Sequence, residues 1–249
     1  MEKRPVAFVT GASRNIGRAV ALALARDGID IACAGRDMVM LEETARKVRD
    51  LGVNASVVLA DANNSSAMEA AVVDTVKEHG RLDIVVNNAG SLRDGLPSDI
   101  DVNTFAQDIQ VNLFAQYAVA RSAYPHLKNS PRPVVVNMGS VAGQVAFPRC
   151  VSYVTSKAAI EGLTRALAID WARDKIRVVC MAPGYVESDI SKSILDDEDS
   201  RKWILKRIPL RRVAKPEEVG DFVAFLVSPK AGFATGEIYY LDGGQRMAI

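Results

Sequence analysis

Short runs of consecutive apolar residues alternate with longer amphipathic segments along the whole chain. The short runs predict β-strands at Val6–Val9, Ile29–Ala34, Ala55–Leu59, Ile84–Val86, Val134–Met138, Val178–Met181 and Ile238–Leu241. Helical periodicity between them predicts helices at Ile16–Asp27, Met38–Leu51, Ser66–His79, Val102–Leu127, Val151–Arg173 and Pro216–Leu226. Continuous apolar runs are typical of parallel strands that helices cover on both faces. The pattern therefore predicts an α/β protein with a doubly wound parallel sheet.

Nothing in the pattern divides the chain. There is no low-complexity linker, internal repeat or break in composition, so we expect a single domain over residues 1–249. The helices predicted at Val102–Leu127 and Val151–Arg173 carry apolar or small residues nearly all round. A helix that covers only one side of a sheet would show a polar stripe. We therefore expect both helices to bury a second face against another subunit; the alternative is a wide contact within the chain.

The net charge limits the possible binding partners, and the cysteines indicate the cellular compartment. A net charge of +1 argues against nucleic acid or an anionic membrane as the main partner and leaves a small molecule or a protein open. The cysteines Cys33, Cys150 and Cys180 lie far apart, with no Cys-x-x-Cys, which predicts free thiols in a reducing compartment. The N-terminus runs straight into a strand without a signal peptide, and no window approaches the ~18 apolar residues of a membrane span. The expected compartment is the cytoplasm.

The stretch "TGASRNIGRA", Thr10–Ala19, follows the first predicted strand and opens the first predicted helix. A glycine-bearing turn in this place is the setting that a phosphate-binding loop requires. Gly11 lets the chain turn sharply, and Gly17 lets the helix approach the sheet. Asn15 stands where a glycine is more usual; its short amide tolerates a positive φ, and it is also a candidate cap for the helix from Ile16. By itself the turn is equally compatible with a structural role.

Further motifs follow the turn in a fixed order: "NNAG" at Asn87–Gly90, Ser140 ahead of Tyr-x-x-x-Lys at Tyr153 and Lys157, and "APG" at Ala182–Gly184. With the tail Ile208–Gly244, they resemble the short-chain dehydrogenase/reductase family over the whole chain, and most closely its 3-oxoacyl-carrier-protein reductases. The resemblance implies a Rossmann fold with a seven-stranded parallel sheet, a nicotinamide cofactor and a homotetramer. Asn15 is the clearest departure from the family pattern and bears on the pyrophosphate contact.

The resemblance implies catalysis by Ser140, Tyr153, Lys157 and Asn112. Reduction of a carbonyl leaves an alkoxide that needs a proton donor. Tyr153 and Lys157 lie four residues apart, hence on one helix face, and we expect the lysine cation to lower the pKa of the phenol toward neutrality. Ser140 is placed to orient the carbonyl oxygen, and the family's residue at Asn112 holds a water that links the lysine to solvent. Each of these residues, taken singly, is also compatible with a purely structural role.

The second strand ends in "AGRD", where an NAD enzyme would place an acid for the ribose hydroxyl. Gly35 removes that carboxylate, and Arg36 suits a phosphate, so we expect NADP(H). Arg14 is expected to face the same phosphate. By resemblance Asp61 and Ala62 contact the adenine end, Asn88–Gly90 the ribose side, and Val186 the carboxamide through its backbone. The full implied cofactor set is Gly11, Ser13, Arg14, Asn15, Ile16, Gly17, Arg36, Asp61, Ala62, Asn88, Ala89, Gly90, Tyr153, Lys157, Pro183, Gly184, Val186 and Ser188.

Substrate choice is expected to lie in a lid segment, residues 185–210, with the acidic run "DDEDS" at Asp196–Ser200 and apolar anchors at Trp203–Leu205. The first expectation is a 3-oxoacyl thioester, although the acidic run would repel an acidic carrier protein. An NADP-dependent alcohol or sugar dehydrogenase stays open, as does a non-catalytic dinucleotide-sensing protein. A hydrolase is disfavoured because Ser140 lacks Gly-x-Ser-x-Gly and the chain has two histidines; no metal site is expected.

Overall fold

The computed structural model, which describes residues 4–248 apart from the side chain of Ser193, contains a parallel sheet of seven strands. Residues 1–3 and 249 of the expected domain lie outside the described residues. The strands are β1 (Val6–Thr10), β2 (Asp30–Gly35), β3 (Ala55–Leu59), β4 (Ile84–Asn87), β5 (Val134–Met138), β6 (Arg177–Pro183) and β7 (Ile238–Leu241). Their order is β3-β2-β1-β4-β5-β6-β7, which confirms the predicted doubly wound sheet. The strand order reverses between β1 and β4, and a crevice forms at their carboxyl ends.

Helices cover both faces of this sheet. They are α1 (Asn15–Arg26), α2 (Met38–Arg49), α3 (Ser65–His79), α4 (Val102–Ile109), α5 (Ala115–Leu127), α6 (Val151–Trp171), α7 (Asp189–Asp196), α8 (Glu198–Arg207) and α9 (Pro216–Val227). Side chains of β1 alternate between two cores: Ala7 and Val9 pack with α1, α2 and α9, whereas Phe8 packs with α3, α5 and α6. Both cores are apolar because every central strand is buried on both faces.

Two segments differ from the sequence-based expectation. The single helix expected at Val102–Leu127 is α4 and α5 joined by a π-helical turn at Gln110–Phe114, where one extra residue enters the helix. The lid segment contains two short helices, α7 and α8, that hydrophobic periodicity did not reveal. Asp197 caps α8 by accepting a hydrogen bond from the backbone N–H of Ser200 at 2.8 Å. Both differences lie beside the carboxyl ends of the strands.

The cysteines are free, as predicted. Cys33 in β2 and Cys180 in β6 are buried, and burial raises the pKa of each thiol to about 12. Cys150 is half-buried. Within residues 4–248, no helix combines the length and the apolar character needed to cross a membrane.

Candidate active site

The turn after β1 closes only with glycine at two positions. Gly11 has a φ of +66°, and a Cβ on Gly17 would lie 2.0 Å from the carbonyl oxygen of Gly11. Asn15 has a φ of +48°, which confirms the predicted left-handed conformation. The predicted capping role is wrong, because α1 begins at Asn15 itself and the residue before it, Arg14, makes no side-chain cap. The first turn of α1 is thus drawn tightly against the loop, as a phosphate cradle requires.

Asn88 connects this turn to the end of β4. The hydroxyl of Thr10 accepts hydrogen bonds from the backbone N–H groups of Asn88 and Ala89, each at 2.9 Å. In return, the Nδ2 of Asn88 donates to the carbonyl oxygen of Thr10 at 2.9 Å. The Asn88 side chain therefore holds the two strand ends together across the crevice.

A cleft of about 940 Å³ runs from the turn after β1 to α6 and α7. That volume suits a large ligand, and the cradle closed by Gly17 fits a dinucleotide pyrophosphate. Most of the predicted site residues line the cleft: Gly11, Ser13, Arg14, Asn15, Ile16, Gly17, Arg36, Asp61, Ala62, Asn88, Ala89, Gly90, Tyr153, Lys157, Pro183 and Ser188. The others, Asn112, Ser140, Gly184 and Val186, are not among the residues that line it.

Gly184 and Val186 support the cleft from behind. A Cβ on Gly184 would lie 2.9 Å from the Cα of Asp242, so this glycine permits close packing on the turn after β7. Val186 is buried, pairs with Ala214 in a parallel bridge, and accepts a hydrogen bond at 2.5 Å from the hydroxyl of Ser191. Their predicted contacts with a cofactor stay predictions.

At the far end of the cleft, Arg36 is the exposed cation that follows β2. Its side chain is 70% exposed, and its Nη1 lies 4.0 Å from the Oδ1 of Asp61. The next residue, Asp37, accepts a hydrogen bond from the backbone N–H of Met40 at 3.1 Å and so caps α2. The Nε of Arg14 pairs with the Oδ2 of Asp189 in α7 at 2.8 Å, and its expected contact with the same phosphate stays a prediction.

The catalytic candidates meet at the start of α6. Lys157 is 4% exposed, and its Nζ donates to the carbonyl oxygen of Met138 at 2.9 Å. The same Nζ lies 5.5 Å from the centre of the Tyr153 ring. Ser140 lies two residues after the end of β5, next to the Tyr153 phenol, and its hydroxyl accepts from the backbone N–H of Ala142 at 3.1 Å. Tyr153, Lys157 and Ser140 thus gather at one end of the cleft.

Burial controls the ionisation of this group. It raises the pKa of the Tyr153 phenol above its usual value, and the neighbouring hydroxyl of Ser140 offsets this only in part. It also lowers the pKa of the Lys157 ammonium to about 8. The expectation that Lys157 lowers the pKa of Tyr153 is therefore wrong in this structure. The ammonium bonds to Met138, and removal of the phenol from water is the larger effect.

Asn112 lies in the π-helical turn and is fully buried. Its Nδ2 donates to the carbonyl oxygen of Ser91 at 2.9 Å and to the hydroxyl of Ser156 at 3.0 Å. Its Oδ1 accepts from the backbone N–H of Ser91 at 2.8 Å. The amide therefore ties the loop after β4 to α6 and leaves no donor of its own for water. The predicted link from this position to Lys157 stays a prediction.

Sequence reasoning missed a buried carboxylate, Asp108, one helical turn before Asn112. It accepts from the hydroxyl of Ser91 at 2.8 Å, from the Nη1 of Arg93 at 3.1 Å and from the hydroxyl of Ser152 at 2.5 Å. Ser91 and Arg93 line the cleft beside Tyr153. The available signal was the i, i+4 spacing of Asp108 and Asn112, which places two polar residues on one face of the predicted helix.

Two side-chain contacts join the loops that follow β4, β5 and β6. The guanidinium of Arg149 donates to the carboxylate of Asp94, with its Nε 2.9 Å from Oδ1 and its Nη2 3.0 Å from Oδ2. Phe147 meets the ring of Tyr185 edge-on, with the ring centres 6.1 Å apart. In the predicted lid, Ile204 is buried. Its neighbour Trp203 is exposed, and the guanidinium of Arg207 stacks over its ring at 3.6 Å from the ring centre. The predicted lid segment is thus anchored through Ile204 of α8.

Comparison with known proteins agrees with this geometry. The profile of a family described as Enoyl-(Acyl carrier protein) reductase matches residues 11–246. The chain is 32% identical to the 3-oxoacyl-[acyl-carrier-protein] reductase of Staphylococcus aureus, covering 99% of this chain and 100% of that protein. It is 30% identical to the gluconate 5-dehydrogenase of Gluconobacter oxydans, covering 98% of this chain and 95% of that one.

A solved structure shares the architecture. It is a gluconate 5-dehydrogenase from Burkholderia cenocepacia in complex with NADP and tartrate, with a TM-score of 0.94, 30% identity, and coverage of 100% of this chain and 97% of that one. Full-length matches at this level, together with the strand order and the cleft, identify the family. The chain belongs to the short-chain dehydrogenase/reductase family of oxidoreductases.

Proposed function

We propose that this protein uses NADP(H) to interconvert a ketone and a secondary alcohol, with Tyr153 as the proton donor for reduction. The observation that carries the proposal is the meeting of Tyr153 and Lys157 with a glycine-closed phosphate cradle in one cleft. A protein that only senses the dinucleotide has no need for a half-buried tyrosine and a buried lysine at the substrate end.

The cradle from Gly11 to Gly17 would hold the pyrophosphate, and Arg36 the 2′-phosphate of NADP(H). Gly35 adds no carboxylate at the end of β2, and the one on Asp37 is engaged as the cap of α2. The relative from Burkholderia cenocepacia was solved with NADP, which supports the same choice here. The bound nicotinamide would supply or accept the hydride.

The protein's own groups would manage the proton. Because burial raises the pKa of Tyr153, the phenol keeps its proton at neutral pH and is ready to protonate a nascent alkoxide. Ser140, next to that phenol, would hold the carbonyl oxygen. The ammonium group of Lys157 would then return a proton to Tyr153. Burial lowers the pKa of this ammonium to about 8, which makes the transfer easier near neutral pH. Asn112 acts as a positioning residue through its bonds to Ser91 and Ser156.

Two substrate classes fit the family. The match to the Staphylococcus aureus protein supports a 3-oxoacyl thioester. The match to the Gluconobacter oxydans protein supports a sugar acid. The substrate end of the cleft favours the second class, because Ser91 and Arg93 form a polar, charged wall. The exposed acids of the lid, among them Glu198 and Asp199, would also repel an acidic carrier protein.

For the assembly we propose a homotetramer with dihedral symmetry. The helical region expected to bury a second face carries exposed large apolar side chains: Phe114 is 52% exposed, Tyr117 is 45% and Ile169 is 80%. Large apolar side chains left exposed on helices are typical of a subunit contact. Light scattering at micromolar concentration tests this, and a monomer would contradict it.

Oxidation of NADPH against a carbonyl panel tests the activity. The panel contains acetoacetyl-CoA, 5-dehydrogluconate, diacetyl and, for reduction of a carbon–carbon double bond, crotonyl-CoA. We expect reduction of at least one ketone and loss of that activity in Tyr153→Phe. Turnover of crotonyl-CoA alone, or turnover that survives in Tyr153→Phe, would overturn the proposal.

A further inference from the structure

The carboxylate of Asp108 is 0% exposed, yet it accepts hydrogen bonds from Ser91 and Arg93, which line the cleft. Its Oδ1 accepts from Ser91 and Arg93, and its Oδ2 accepts from Ser152, the residue before Tyr153. A buried carboxylate is stable only when its oxygens are paired and hydrogen-bonded, and here they are. The arrangement holds the Arg93 guanidinium in place in the cleft that Tyr153 also lines.

Arg93 keeps binding capacity in this position. Its bonds within the described part of the chain all come from Nη1: one to Asp108 and a long one, 3.5 Å, to the carbonyl oxygen of Thr104. The edge formed by Nε and Nη2 has no hydrogen-bond partner among residues 4–248. The side chain is 37% exposed and lines the cleft. That edge has the geometry for a bidentate pair with a carboxylate.

We propose that Arg93 is the specificity-determining residue of the substrate site, and that it binds a carboxylate carried by the reacting molecule. The substrate pair is then a hydroxy acid and the corresponding oxo acid, rather than a neutral alcohol and ketone. This rests on the proposed function, since it assigns the substrate class of that same cleft. Asp108 is the positioning residue that orients Arg93.

Arg93 could also bind a phosphate at the end of a thioester carrier arm, because a phosphate is an anion like a carboxylate. The chain of contacts from Arg93 through Asp108 to Ser152 is short, however, and Tyr153 follows Ser152 directly. An anion on Arg93 and a carbonyl at Tyr153 would therefore occupy the same cleft, which both side chains line. The phosphate of a carrier arm is separated from its reacting carbonyl by a long flexible chain, which favours a carboxylate on the substrate itself.

The test compares matched substrates that differ only in charge. The wild-type enzyme is assayed with NADP⁺ on gluconate and gluconamide, and with NADPH on acetoacetate, acetoacetamide and acetoacetyl-CoA. A charged hydrogen-bonded pair predicts a kcat/KM about 10- to 100-fold higher for the acid than for its amide. Arg93→Gln should remove this preference, because it lowers kcat/KM for the acids far more than for the amides. Arg26→Gln, which removes an exposed arginine paired with Asp221, is the matched control and should keep the preference.

A direct binding measurement makes the result independent of turnover. Calorimetry of tartrate with the NADP⁺-loaded enzyme should show an affinity that falls at least ~10-fold in Arg93→Gln but not in Arg26→Gln. Equal rates for acids and amides in the wild type, or tartrate binding unaffected by Arg93→Gln, would overturn the inference. So would a preference for acetoacetyl-CoA that depends on Arg93. Reduction of neutral ketones without acid preference would leave the proposed function standing and reject only this inference. If the wild type turns over none of these compounds, the proposed function fails and the tartrate measurement alone decides about Arg93.

Discussion

The ammonium nitrogen of Lys157 donates a hydrogen bond to the carbonyl oxygen of Met138 at 2.9 Å. Burial around this pair lowers the pKa of Lys157 from 10.5 to about 8. Below pH 8 Lys157 is charged in both states, but its charge is buried in the folded protein and hydrated in the unfolded chain. This burial lowers the free energy of unfolding by about 3 kcal/mol. Between about pH 8 and 10.5 the folded protein releases this proton while the unfolded chain still binds it, so the cost disappears as the pH rises.

Lys157→Met should therefore change stability in a pH-dependent way. The variant lacks the buried charge at every pH, whereas the wild type loses it only above pH 8. The free energy of unfolding of the variant minus that of the wild type should fall by ~2–3 kcal/mol between pH 7 and pH 10. Urea denaturation of both proteins across this range measures it. A difference that stays constant with pH would show that Lys157 is not destabilised by burial.

Tyr153→Phe should lower kcat for ketone reduction by about 100-fold or more, because it removes the proton donor and keeps the ring. The dissociation constant for NADPH, measured by fluorescence, should stay within a factor of about two. The exposed Tyr117 provides a control, since Tyr117→Phe should leave kcat unchanged. In the wild type the reductive rate should be flat below pH 8 and fall above it as Lys157 loses its proton. Retention of a tenth of kcat in Tyr153→Phe would assign the proton to another group.

Arg36→Ala should raise the KM for NADPH by ~10- to 100-fold with little change for NADH, because only NADPH carries the 2′-phosphate that Arg36 would bind. Arg46→Ala, on the exposed side of α2, removes the same charge without touching the cleft and should change neither value. Steady-state kinetics with both cofactors measures the effect. A wild-type enzyme that uses NADH as well as NADPH would contradict the assignment.

Asp189→Asn should strengthen NADPH binding. The carboxylate of Asp189 lines the cleft and occupies Arg14 of the phosphate cradle, so it competes with an anionic cofactor. Both side chains are about half exposed, which limits the effect to roughly 1 kcal/mol, or about fivefold in the dissociation constant. NADPH fluorescence titration measures it, with Asp221→Asn as a control far from the cleft. Weaker binding in Asp189→Asn would mean that this contact favours the cofactor.

Asn15→Ala should destabilise the protein by about 1 kcal/mol, because alanine disfavours the left-handed φ of +48°. Asn15→Gly adopts the same φ without strain and should be at least as stable as the wild type. Thermal unfolding of the two variants separates backbone strain from any loss of the amide. Equal stability of the alanine and glycine variants would show that the turn relaxes.

Local rules explain why much of the molecule was predictable. The seven strands follow from apolar runs that need no tertiary information, since a doubly covered sheet imposes the same pattern on each central strand. The positive φ of Asn15 and the shared helix face of Tyr153 and Lys157 likewise depend only on neighbours in the chain. The motif order then placed these pieces in one family.

The sequence by itself determined the sheet, the cradle and the residues that gather around Tyr153. The tertiary structure alone decided which partner each charged side chain has. Arg14 pairs with Asp189, Lys157 donates to Met138, and Asp108 is a buried carboxylate that holds Arg93. These pairs join segments distant in the chain, and a helical aspartate has the same local pattern whether it faces water or a core. The energy of a charge depends on burial and on the groups packed around it, which only the folded chain defines.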